Sequence, residues 1–100
     1  MNELQEKWVE ALESGEYKQG KTYLRDSEDK YCCLGVACEV MGVEKTYIGD
    51  TVRFGNCLVT LSERLMNKLG IEKQSHFIVM NDSGKSFKEI AQYIRDNYDI

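Results

Sequence analysis

The sequence predicts an α+β fold in one small domain, residues 1–100: an N-terminal helix, a central β-hairpin, a short buried helix, and two or three C-terminal helices. Three observations carry that expectation. Apolar residues recur at helical spacing near both ends of the chain, each run introduced by a capping pair. Short β-branched and aromatic runs separated by turn residues lie between them. Residues 20–42 hold three of the four cysteines and the longest apolar run, Tyr31-Cys32-Cys33-Leu34-Gly35-Val36-Ala37-Cys38, the natural centre of a core.

The first helix is expected over residues 3–14. Asn2 and Gln5 form its capping box, Leu4, Trp8, Val9, Ala11 and Leu12 share a face, and Gly15 ends it. Residues 16–20 read as a loop. Thr22-Tyr23-Leu24-Arg25 and Lys30-Tyr31-Cys32 read as the strands of a hairpin around the turn at 26–29. Leu34, Val36, Ala37, Val40 and Met41 then predict a buried helix over 33–41, stopped by Gly42. Residues 45–48 and 51–54 look like two short strands around Gly49-Asp50. Thr60 with Glu63 introduces a helix carrying Leu61, Leu65, Met66 and Leu69 and ending at Gly70. Residues 75–80 have strand propensity but little room before the last helix, 87–97, which Ser86 and Glu89 cap. The expected core is Trp8, Leu12, Leu24, Cys33, Leu34, Val36, Ala37, Leu65, Leu69, Phe77, Phe87, Ile90 and Ile94.

Composition bounds function. A net charge of −4 without a basic tail argues against a nucleic-acid duplex as partner. No apolar stretch reaches the ~20 residues that a membrane span needs, and the acidic amphipathic start does not resemble a signal peptide, so a cytoplasmic protein with reduced thiols is expected. The charge is uneven. Glu3, Glu6, Glu10, Glu13 and Glu16 face Lys7 alone, whereas Lys18, Lys21 and Arg25 follow with no acid among residues 17–25.

No catalytic set assembles from these residues. Cys32, Cys33, Cys38 and Cys57 lack the paired spacing of a zinc site, and adjacent cysteines point apart, so free buried thiols and no metal are expected. His76 is the sole histidine and reads as a partly buried structural residue, which leaves a thiol nucleophile without an obvious base. Asp82 and Glu89 are accounted for by turn and cap chemistry. No cofactor motif is present: Gly84-Lys85-Ser86 lacks the upstream glycine of a phosphate loop, although it sets Lys85 beside the amides of a helix start.

What remains is a binding kit. Tyr17, Gln19, Lys21, Arg25 and Tyr31 combine aromatic faces with cations, and Asn81, Asp82, Lys85 and Ser86 form a polar turn expected to approach them. These nine residues are the expected ligand-binding set, in a homo-oligomer.

Three blocks also carry a resemblance. Ser14-Gly15-Glu16-Tyr17-Lys18-Gln19-Gly20, then Tyr31-Cys32-Cys33-Leu34-Gly35-Val36-Ala37-Cys38, then Asn81-Asp82-Ser83-Gly84-Lys85-Ser86-Phe87 are similar to a group of small proteins of tailed bacteriophages and prophages. The resemblance spans nearly the whole chain and departs from the group at about 43–60, where proline is absent here. It implies a phage origin, a host-cell cytoplasmic setting and an accessory role. One such role is non-catalytic sequestration of a nucleotide immune signal, a cyclic nucleotide or an ADP-ribose-type ligand. The alternative is a protein that covers a surface of a host protein, and a small hydrolase ranks third.

Overall fold

The computed structural model describes residues 1–98. Its elements run α1 (Glu3–Ser14), β1 (Lys18–Gln19), β2 (Lys30–Tyr31), α2 (Cys33–Met41), β3 (Lys45–Ile48), β4 (Thr51–Phe54), α3 (Glu63–Leu69), α4 (Ser75–Asp82) and α5 (Phe87–Tyr98). This is the α+β architecture expected, with helices dominating and two small sheets of two strands each.

Helix α2 lies at the centre because its sequence leaves no polar face, and every residue from Cys33 to Cys38 is buried. Helices α1 and α4 pack on α2, and α5 packs on α1 and α4. The indole Nε1 of Trp8 donates to the Cys33 carbonyl at 2.8 Å, and its ring meets Phe77 of α4 at 5.2 Å. Gly35 is required here, since a Cβ at this position would overlap the Leu24 carbonyl. The chain at Leu24 therefore crosses α2 in direct backbone contact, which fixes where Arg25 emerges.

The capping boxes at α1 and α5 form as expected, through Asn2 with Gln5 and Ser86 with Glu89. The first has a second use: Asn2 and Gln5 also donate to the carbonyls of Leu69 and Gly70, satisfying the end of α3. The β3–β4 hairpin has the expected bounds and pairs Ile48 with Thr51 around Gly49-Asp50. Gly49, at φ 61, occupies the first turn position, where a two-residue hairpin needs positive φ.

Several expectations are corrected. The central hairpin is shorter than residues 22–25 and 30–32 suggested: it keeps one antiparallel bridge, Arg25 with Tyr31. Strand β2 instead pairs in parallel with β1, which lies in the stretch read as a loop. The cause is Thr22, at φ 72, the centre of a three-residue turn in which the Tyr23 amide donates to the Lys21 carbonyl at 2.8 Å. This γ-turn of the strained, positive-φ kind interrupts any extended run.

Helix α3 starts at Glu63 with Ser62 as its cap, not Thr60, because the amide and carbonyl of Leu61 are both held by the Gln74 side chain. Residues 75–82 form a helix instead of a strand, and that helix sets Phe77 against Trp8 in the core. Leu65 is half-buried rather than core, while Phe54, Leu61 and Ile71 join the core. His76 is exposed, its ring 4.9 Å from that of Tyr93.

Candidate functional site

The nine residues expected to bind a ligand separate into two groups with different chemistry. The first is built around Asn81, which is buried near the C-terminus of α4. Its Oδ1 accepts from Gln19 Nε2 at 3.0 Å and from the Cys33 amide at 3.1 Å. Its Nδ2 donates to the Gly20 carbonyl at 2.8 Å and to Asp82 Oδ1 at 3.2 Å. Two acceptances and two donations fill the capacity of a carboxamide.

The neighbours are engaged as well. Gln19 Nε2 also donates to the Lys85 carbonyl at 2.7 Å, and Asp82 Oδ1 accepts the Thr22 amide at 3.1 Å. The Ser86 hydroxyl caps α5, and Lys85 lies 3.8 Å from Glu89. The 17–25 segment and the 81–86 turn thus approach each other as expected, but Gln19, Asn81 and Asp82 form a structural junction. Lys21 is exposed beside it.

The second group is Tyr17, Arg25 and Tyr31. The Arg25 guanidinium lies 5.5 Å from the centre of the Tyr31 ring, and Tyr17 meets Tyr31 edge-on at 5.1 Å. The Arg25 side chain is only 16% exposed, yet Nε and Nη2 both donate to one oxygen of Asp29, at 3.1 and 2.8 Å. Of its five N–H donors, two are used by this pair. Burial works against the charge of Arg25, but Asp29, Tyr31 and the Tyr47 hydroxyl outweigh it and hold the pKa above its ordinary value. Burial and the nearby Glu39 carboxylate raise the phenols of Tyr17 and Tyr31, so both remain neutral donors.

Two grooves flank Arg25. One, of about 450 Å³, is lined by Glu16, Tyr17, Lys18, Glu28, Asp29 and Tyr31. The other, of about 280 Å³, is lined by Tyr23, Asp26, Ser27, Asp50, Thr51 and Leu58. Glu39 and Lys45 form an ion pair at 2.8 Å that acts electrostatically on Tyr17 and Tyr31. Tyr23, Lys45, Tyr47 and Asp50 were missed by sequence reasoning. For Lys45 and Tyr47 a signal existed, since alternate residues of a predicted strand share a face.

The cysteines offer little nucleophilic chemistry. Burial pushes the Cys32 thiol up to about 11 and raises Cys33 and Cys38 as well, so all three are protonated at neutral pH. Cys33 packs its sulfur 3.6 Å from the Phe77 carbonyl, and all four cysteines are free thiols. Among the described residues no helix is long and apolar enough to cross a membrane.

Residues 1–56 match the family described as Domain of unknown function (DUF8296). The chain belongs to that family. The matched segment runs from α1 through the β3–β4 hairpin and so contains Tyr17, Arg25, Tyr31, Tyr47 and Asp50, whereas Asn81 lies beyond it. No curated protein and no solved structure matches the chain.

Proposed function

We propose that this DUF8296 protein is a non-catalytic binder of a small nucleotide-like ligand, centred on Arg25. The observation that carries the reading is the state of that side chain: nearly buried, oriented by Tyr31 and Asp29, and still holding donors in excess of those Asp29 takes, between two grooves. A guanidinium held in this way is pre-organised for a phosphate oxygen, and the surrounding phenols supply ring faces and hydroxyl donors.

Charge narrows the ligand class. The larger groove sets Glu16, Glu28 and Asp29 against Lys18 and Arg25, and the smaller sets Asp26 and Asp50 against Arg25. Each groove holds one acid more than its cations, so a polyphosphate is disfavoured. Among phosphates the least charged class, a phosphodiester with one negative charge per phosphate as in cyclic nucleotides, is opposed least. The phage-type resemblance supplies the setting: an accessory protein in the host cytoplasm that removes a nucleotide signal by holding it, as an oligomer.

The test is incubation of the purified protein with a panel of cyclic di- and trinucleotides and cyclic ADP-ribose isomers, followed by assay of free and heat-released ligand. Recovery of intact ligand only after heating supports sequestration. A chemically changed ligand would make the protein an enzyme. Absence of binding across the panel would shift the reading to a host-protein partner, which one observation favours: β3 leaves Tyr47 and Ile48 61% and 58% exposed on the hairpin.

A further inference from the structure

We infer that the smaller groove beside Arg25 is a nucleoside subsite in which Tyr23 supports the base and Asp50 reads a ribose hydroxyl. The inference rests on the phosphate-binding reading of Arg25 and adds the residues that would recognise the rest of the ligand.

The larger groove is the weaker candidate for a base, because its aromatic rings are already engaged. Tyr17 packs edge-on against Tyr31, and the guanidinium of Arg25 covers Tyr31. Tyr23 differs. It is 44% exposed, and among the described residues no other ring packs against it. Its position is nonetheless fixed on both sides, by the γ-turn at Thr22 and by the hydrogen bond from the Leu24 amide to the Leu58 carbonyl at 3.0 Å. Leu58 itself lines the groove, so an aromatic and an aliphatic side chain both border the space. A flat base can stack there without sequence-like selectivity, since every base presents a π face.

The two acids of the groove are not equivalent. Asp26 Oδ1 accepts the amides of Glu28 at 2.8 Å and Lys30 at 3.0 Å, so it serves the turn. Asp50, at the tip of the β3–β4 hairpin, is engaged by no hydrogen bond or ion pair among the described residues. A carboxylate only accepts, so its complement on a ligand is a donor. Beside an arginine that takes the phosphate, the donor groups of a nucleotide are its sugar hydroxyls and base N–H groups. Carboxylate recognition of a ribose 2′-hydroxyl is a common solution in nucleotide sites. The groove, at about 280 Å³, lies at the small end of the range of ligand pockets.

The experiment is equilibrium binding of 3′,5′-cyclic adenosine and guanosine monophosphates and their 2′-deoxy analogues to the wild type, Asp50→Ala and Tyr23→Ala. These probes differ in one hydroxyl and carry a single charge. The wild type should favour the ribose forms by roughly 10- to 100-fold, as expected for a hydrogen bond to a charged group. Asp50→Ala should bind both forms equally, near the wild-type affinity for the deoxy form. Tyr23→Ala should weaken both, and Tyr23→Phe should restore them. Equal wild-type affinity for ribose and deoxy forms would overturn the Asp50 assignment while leaving Arg25 binding intact. No binding of any mononucleotide probe would overturn the subsite alone if a cyclic dinucleotide or cyclic ADP-ribose isomer still binds, and would overturn it together with the reading on which it rests if none of those binds either. A circular-dichroism melt of each variant separates loss of recognition from loss of fold.

Discussion

The Asn81 junction and the Arg25 platform are joined by the same few residues of chain, yet they handle polar groups in opposite ways. At Asn81 a buried carboxamide meets four partners and nothing is left for a ligand. At Arg25 a nearly buried guanidinium shares one carboxylate oxygen with two of its donors, and exposed aromatic residues stand around it. A polar cluster that is fully paired specifies a fold; one that is partly paired and open to a groove is available for binding. Polar residues concentrated in a sequence therefore do not reveal which of the two they form until their partners are known.

The comparison can be tested by breaking each region in turn. The largest effect is expected where the two share a support. Gly35→Ala would drive a methyl group into the Leu24 backbone, displacing the segment that carries Arg25, and should cost about 4 kcal/mol or more in urea unfolding. Asn81→Ala comes next. It strands the Cys33 amide and the Gly20 carbonyl and should cost about 3 kcal/mol, with any ligand affinity of the surviving folded fraction unchanged.

Arg25→Ala should show the reverse pattern. Its partner Asp29 is largely exposed, so the ion pair adds no more than about 1 kcal/mol to stability, whereas ligand binding should weaken roughly 10- to 150-fold by calorimetry. A large loss of stability with unchanged binding would place Arg25 in the same class as Asn81. Smaller still, and opposite in sign, Thr22→Gly relieves positive φ without removing the amide that donates to Asp82. It should raise unfolding stability by about 0.5–1 kcal/mol.

The smallest effect concerns pH. The pKa of Glu13 is lowered chiefly by its hydrogen bond to Arg95, and that of Glu89 by the amide and hydroxyl of Ser86. A depressed folded-state carboxylate contributes stability above its unfolded value and loses it as pH falls through the folded one. Thermal stability should therefore decline below the ordinary value of 4.5, and Glu89→Gln, which keeps the cap geometry, should flatten part of that decline.

Much of the fold was legible because its signals are local. Capping boxes at Asn2 and Ser86, helix-ending glycines at 15, 42 and 70, and the Gly49-Asp50 turn each act through neighbours in sequence. The errors fell where long-range bonds overrode local propensity. Gln74 held Leu61 and moved the start of α3 to Ser62. Thr22 took a left-handed turn that its β-branched side chain disfavours, with its amide held by Asp82 sixty residues away.

The candidate site divides along the same line. The amino-acid sequence by itself determined which groups were on hand: the cations and phenols of residues 17–31, the carboxamide at 81, and the thiol-rich core run. It also determined that residues 17–31 stay near one another, since few residues separate them. Only the tertiary structure decided that Asn81 is consumed by the fold and that Asp29 leaves Arg25 with donors to spare. It alone brought Tyr47 and Asp50 from the second hairpin to the same place. The physical reason is that a hydrogen-bonding group can serve the fold or a ligand, and which it serves depends on partners that side-chain identity does not name.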